Sequence, residues 1–145
     1  MRNSSTLALT TVLGATAGAA QAESDPWALL SQIEIEEIVT ETSYEVRKVF
    51  PAAIENGIEV FDITGYAVPL SPEGEVRELM LVADMGDCPF CGSSEHGGSL
   101  MVQLAEPLAG LEEGQRITLR GALEAVTDPE TWQAAVMKGA RLIRL

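Results

Sequence analysis

Apolar and polar positions alternate through Gly57-Ile58-Glu59-Val60-Phe61-Asp62-Ile63-Thr64-Gly65-Tyr66-Ala67-Val68-Pro69-Leu70. A period of two with β-branched content predicts a strand that buries one face. Gly65 in its interior predicts a bulge or a sharp coil, as small barrels use at their corners. Ser71-Pro72-Glu73-Gly74-Glu75 has turn composition. It leads into Arg77-Glu78-Leu79-Met80-Leu81-Val82, whose continuous apolar end predicts a buried central strand paired with the first as a hairpin.

Further along, Ser99 to Leu104 predicts a third strand, Glu112-Glu113-Gly114 a turn, and Arg116 to Glu124 a fourth, alternating strand with Gly121 inside it. Ala140-Arg141-Leu142-Ile143 closes the chain. For residues 129–137 two readings stand: a strand through alternating Trp132, Ala134 and Val136, or a short helix capped by Asp128 and stopped by Gly139. Before Gly57, apolar Ile33, Ile35, Val39, Val46 and Val49 alternate among acidic residues. They predict strand interrupted around Glu36-Glu37, with helix as the rival because Glu is a good helix former. Glu23 to Leu30 reads as an N-terminal arm whose Trp27, Leu29 and Leu30 clip onto the body. Short strands separated by turns and carrying internal glycines predict an all-β fold, a small OB-like five-stranded barrel with an N-terminal arm.

The first residues predict export. Arg2 is the only charge before position 23, Leu7 to Ala20 is apolar or small, and Ala20-Gln21-Ala22 has the small-x-small form of a signal-peptidase site. A membrane span needs about 20 strongly apolar residues, and this run is shorter and diluted by Thr, Gly and Ala. The expected organisation is a cleaved signal peptide, residues 1–22, followed by a single OB-like β domain, residues 23–145, located in the periplasm and not membrane-spanning after cleavage. No cysteine stands at the cleavage site, which excludes a lipid anchor there.

Charge then narrows the partners. The 22 acidic residues all lie beyond position 22, against eight of the nine basic ones, for a net charge of −14 in that part of the chain. Nucleic-acid affinity comes largely from cations neutralising phosphates, so nucleic acid is not an expected partner. The acidity accounts for solubility and attracts cations without selectivity.

Chemistry concentrates in one segment, Asp84-Met85-Gly86-Asp87-Cys88-Pro89-Phe90-Cys91-Gly92-Ser93-Ser94-Glu95-His96-Gly97-Gly98, which holds both cysteines and the only histidine. Three readings compete. In the first, Cys88, Cys91 and His96 bind a metal: thiolates and imidazole suit zinc, and Met80, Met85 or Met101 nearby would favour copper(I) instead. Asp84, Asp87, Glu95 or water would be the fourth ligand. In the second, Cys88-Pro89-Phe90-Cys91 is a thiol-disulfide exchange partner. A thioredoxin-like mechanism needs a helix beginning at the first cysteine, and the Gly- and Ser-rich residues after Cys91 have no propensity for one. In the third, the pair is a structural disulfide in an interaction or scaffold module. An oxidising compartment favours that state for unliganded thiols.

No Ser-His-Asp order, phosphate-cradling glycine loop or paired-carboxylate frame stands out, so the sequence points away from an enzyme. Trp27 and Trp132 read as core or arm anchors, and Glu36-Glu37 and Glu112-Glu113 as solvated faces and turns.

Gly65-Tyr66-Ala67-Val68-Pro69-Leu70, followed by the apolar strand ending Leu79-Met80-Leu81-Val82, a cysteine loop and a Met/Val strand, resembles an uncharacterised bacterial periplasmic and lipoprotein family, the domain of unknown function DUF 3299. The resemblance spans roughly Ile54 to Leu123. It implies metal handling in the envelope beside zinc-uptake proteins, and it carries over Cys88 as a site residue. This chain departs from the family pattern after that cysteine, with a second Cys, Gly92 and a later His96 where the family has a His and a proline-rich run. The sequence therefore reads as a non-enzymatic periplasmic protein that binds a transition metal, zinc first, through Cys88, Cys91 and His96.

Overall fold

A computed structural model describes residues 25–71, 74–85 and 98–145. The segment read as a signal peptide lies outside the described residues, as do Cys88, Cys91 and His96. In chain order the elements are α1 (Pro26–Leu30), β1 (Glu34–Val39), β2 (Tyr44–Val49), α2 (Ala52–Glu55), β3 (Ile58–Pro69), β4 (Val76–Val82), β5 (Ser99–Leu108), β6 (Arg116–Ala125) and β7 (Ala135–Arg144). Strands β3 to β7 close a barrel in the order β3-β4-β5-β7-β6, with β6 paired back to β3. Every pairing is antiparallel except β5 with β7. Counted within the barrel, that order is 1-2-3-5-4 with the third and fifth strands parallel, the arrangement of an OB-like barrel.

The period of two dictates which side chains fill the interior. Phe61, Ile63 and Ala67 of β3, Leu79 and Leu81 of β4, Leu100 and Val102 of β5, Ile117, Leu119 and Leu123 of β6, and Met137 and Ala140 of β7 form one buried cluster. Full burial of a Leu or Ile is worth about 1.5–3 kcal/mol, and the five strands have no free edge because the sheet closes on itself. Ile54 of α2, fully buried, plugs the barrel beside β6. The α2 turn leaves no mark in the sequence pattern, because its four residues are too few for helical periodicity to show.

Several local expectations need correction. Strand β1 runs without a break through Glu36-Glu37; the interruption falls at residues 40–43, a turn that joins β1 to β2 as a separate two-stranded antiparallel hairpin. The turn forms there because Thr40 Oγ1 accepts from Ser43 N at 2.9 Å and Thr40 N donates to Ser43 O at 2.8 Å. Residues 129–134 are neither helix nor strand, and β7 starts at Ala135. Asp128 does accept from a backbone N–H, but from Glu130 at 2.8 Å in a local turn, and Thr131 Oγ1 repeats the device with Gln133 N at 3.1 Å. Trp132 is exposed rather than anchored.

Gly65 marks no bulge. The β3–β6 register is continuous across it and shifts instead between Ile58 and Phe61. Its glycine is required by close approach: a Cβ there would stand 2.6 Å from Val82 O and 2.9 Å from Leu81 Cγ. The β6–β7 ladder does slip at its internal glycines, between Arg120 and Ala122, where β7 carries an extra residue at Gly139 with φ +60°.

The β1–β2 hairpin is fastened to the barrel through the connection between β6 and β7. Val46 N donates to Pro129 O at 2.8 Å, and Lys48 Nζ donates to the carbonyls of Val126, Asp128 and Gln133 at 3.1, 2.8 and 2.7 Å. The three ammonium protons thus have three acceptors. Burial lowers the Lys48 pKa from its ordinary value, and the charge of Asp128 opposes that shift.

Candidate functional site

The segment carrying both cysteines and the histidine connects β4 to β5. On either side of it the ladder runs to its end: Val82 faces Ser99, and Ala83 N donates to Gly98 O at 3.0 Å. Ala83 and Gly98, the residues that flank 84–97, therefore stand side by side at one point of the barrel. They are held by ordinary antiparallel pairing between strands whose inward residues, Leu81 and Leu100, are fully buried.

Trp27 braces that point. Pro26 and Asp25 start the short α1 turn, with Asp25 Oδ1 accepting from Trp27 N at 3.0 Å. The turn lays the indole across the barrel, where Nε1 donates to Thr64 O at 2.7 Å. Two glycines make the slot. A Cβ on Gly98 would lie 2.8 Å from Trp27 Cε3 and 3.1 Å from Cζ3, and a Cβ on Gly65 would lie 3.0 Å from Cζ2. Trp27, Leu29 and Leu30 all pack on the core, as an arm that clips onto the body should. The slot itself was not legible in the sequence, because Trp27, Gly65 and Gly98 are far apart along the chain.

The turn between β5 and β6 closes against the same region. Gly114 at φ +80° lets its N–H reach Ala67 O at 2.8 Å, and Met85 Cε would sit 3.0 Å from a Cβ on Gly114. The Met85 thioether thus lies over the turn that carries Glu112 and Glu113, both exposed. Met80 and Met101 occupy directly opposite positions on β4 and β5, half-buried on the outward face. Such partners hold their Cβ atoms about 4.5–5.5 Å apart.

Of the residues expected to hold a metal, Cys88, Cys91 and His96 lie outside the described residues. Among the described residues no group of three or more His, Cys, Asp or Glu is placed to hold an ion. No described helix is long and apolar enough to cross a membrane. The chain matches no protein-family model, no curated protein and no solved structure.

Proposed function

We propose that this protein is a non-enzymatic metal-binding module that holds a transition ion, zinc first, on the β4–β5 connection through Cys88, Cys91 and His96. The observation that carries the reading is the pinch at Ala83 and Gly98. A connection that starts and ends at one point limits how far its ligands can stray from that point. At about 3.3–3.6 Å per residue, Cys88 is tethered within roughly 18 Å of Ala83, and His96 within roughly 7 Å of Gly98. Two thiolates and an imidazole so confined suit tetrahedral coordination.

The surroundings add to it. The Met85–Gly114 contact brings Glu112 and Glu113 to the base of the connection, where their charge raises the local cation concentration. The resemblance of Gly65–Leu70 to a family met beside zinc-uptake proteins points the same way, toward envelope metal homeostasis with uptake proteins as partners in the periplasm. Copper(I) is the second reading, favoured by one observation: Met80 and Met101 are cross-strand partners beside the connection, and soft thioethers select that ion.

The test is metal analysis and a thiol count on protein purified without reductant. Stoichiometric zinc, with two thiols protected by it, is the expected result, and Cys91→Ser abolishes uptake while the fold persists. Finding no free thiol and no metal overturns the proposal in favour of a structural disulfide. Unchanged metal content in Cys91→Ser moves the site elsewhere. Catalysed disulfide exchange would instead establish the thiol-exchange role.

A further inference from the structure

Five of the nine cations of this acidic chain stand on two neighbouring strands. Nine Lys and Arg stand against 22 Asp and Glu, yet Arg116, Arg120, Lys138, Arg141 and Arg144 all occupy exposed positions on the adjacent strands β6 and β7. The register sets their neighbours. Thr118 is opposite Thr64 on one side and Arg144 on the other; Arg120 lies between Asp62 and Arg141; Arg116 is opposite Tyr66. Thr118 therefore has Arg116 and Arg120 two positions away along its own strand, on the same face, and Arg144 across the ladder.

Two of the five cations are neutralised. Arg120 donates through Nε and Nη2 to Asp62 at 2.7 and 2.6 Å, and Lys138 pairs with Glu124 at 2.6 Å. Arg116, Arg141 and Arg144 make no ion pair with a described residue. Arg120 and Arg141 face each other directly, an arrangement of like charges that opposes sheet formation. Opposite Arg116 and Thr118 on β3 stand hydroxyl-bearing Tyr66 and Thr64, and the one carboxylate in that row, Asp62, is taken up by Arg120. The two threonine hydroxyls hydrogen-bond to each other at 2.8 Å. One proton is used between them, which leaves the other to donate outward.

We propose that the outward face of β6 and β7, centred on Thr118, binds a phosphate group through Arg116, Arg144 and the Thr64–Thr118 hydroxyl pair. The register puts Arg116 two positions along from Thr118 and Arg144 across from it, so two guanidinium forks flank one hydroxyl donor, a set that matches a tetrahedral oxyanion with several peripheral oxygens. A lone carboxylate fills a single fork. Asp62 holds Arg120 through Nε and Nη2, so that its Nη1 takes no part in the pair. The group comes either from free phosphate or a small phosphate ester, or from an anionic lipid headgroup. The site uses no residue of the β4–β5 connection and stands independently of the metal reading.

The test is a titration of the protein with inorganic phosphate, against acetate and chloride at matched ionic strength, following the arginine Nε–Hε and Thr118 amide signals by NMR. Saturable shifts with phosphate alone are expected. Each charged hydrogen bond removed weakens binding about tenfold or more, so R116Q/R144Q loses saturation. R116K/R144K, which keeps the charge but not the fork, still weakens phosphate while retaining a wild-type unfolding midpoint, and it serves if the glutamine variant fails to fold. In a second arm, co-sedimentation with phosphatidylglycerol vesicles, absent with phosphatidylcholine and lost in the same variants, assigns the group to a headgroup. Saturation by phosphate without vesicle binding assigns it to a small molecule. Equal shifts with acetate, displacement of phosphate by polyglutamate at equal concentration, phosphate shifts that survive in R116Q/R144Q, or the lack of a response in both arms would each overturn the proposal.

Discussion

Trp27 and Gly98 are matched in shape: the glycine has no side chain because the six-membered ring of the indole occupies the place where a Cβ would stand, 2.8 Å from Cε3. The contact joins the N-terminal arm to the start of β5. Gly98→Ala should destabilise the fold, and Trp27→Ala should cost about 3 kcal/mol, the bottom of the range for a buried tryptophan because this one is only half-buried. The two substitutions should be less than additive, since the clash disappears with the ring. Denaturant unfolding of the four proteins of the cycle measures this; strict additivity would refute the contact. Gly65→Ala meets Val82 O as well, a backbone atom that cannot move aside, so removing Trp27 should rescue it far less.

Lys48 is the tether between hairpin and barrel, and Lys48→Met should cost about 1–3 kcal/mol by leaving the carbonyls of Val126, Asp128 and Gln133 without their shared donor. The pH dependence follows from the direction of its shift. Burial, opposed by Asp128, lowers the folded pKa below the unfolded one, so between the two values the unfolded chain holds more protons. Stability through this group therefore rises with pH across that alkaline window. Subtracting the Lys48→Met profile from the wild-type profile isolates the slope, and a difference that falls with pH would contradict it.

Asp62 gives the opposite limb. Its hydrogen bonds from Arg120 hold the carboxyl below the ordinary carboxylate range; burial opposes them, and the guanidinium charge adds a lesser lowering. A depressed folded pKa supplies stability that is complete above the unfolded pKa and lost as pH falls through the folded one. Both side chains are about half exposed, so solvent screens the pair and the effect is small. Asp62→Asn should flatten the acid limb of the stability profile and weaken its salt dependence. A variant with the wild-type acid limb would show that the pair contributes nothing.

What the sequence made legible was whatever has a short period. Four of the five barrel strands announced themselves because inward residues such as Ile63, Leu81 and Leu119 alternate with outward ones, whereas the start of β7 falls in residues 129–137, which read equally as strand or helix; the glycine turns at Gly74 and Gly114 take positive φ as their composition requires. Long-range contacts left no such trace. Gly65 reads as a bulge or a sharp coil from its neighbours alone, and only the approach of β4 and Trp27 shows the close contact that requires it. The break placed at Glu36-Glu37 followed charge, whereas pairing of Glu36 with Arg47 across the hairpin at 3.1 Å makes that position good strand. The arginine face was equally hidden, because Arg116, Arg120, Arg141 and Arg144 look like the outward phase of two ordinary strands until the register sets them side by side.

The state of the two cysteines can be read through the stability of a barrel that does not contain them. The core cluster is drawn from the barrel strands and Ile54, and the β4–β5 ladder is complete at Val82 and Ser99 before the connection begins. If Cys88 and Cys91 are metal ligands, Cys91→Ser should remove the metal yet leave global unfolding within about 0.5 kcal/mol of wild type, as for substitutions away from the core. Adding a chelator should likewise leave the barrel's unfolding midpoint in place. If the two instead form a disulfide, its small loop is worth about 2 kcal/mol. Reduction alone should then lower the midpoint, and a chelator should do nothing. Parallel denaturant curves with chelator, with reductant and with neither separate the two states. Affinity for the ion should also fall as pH drops, because both thiols and the imidazole must lose protons to bind it; metal retention that is constant down to acid pH would exclude these three ligands.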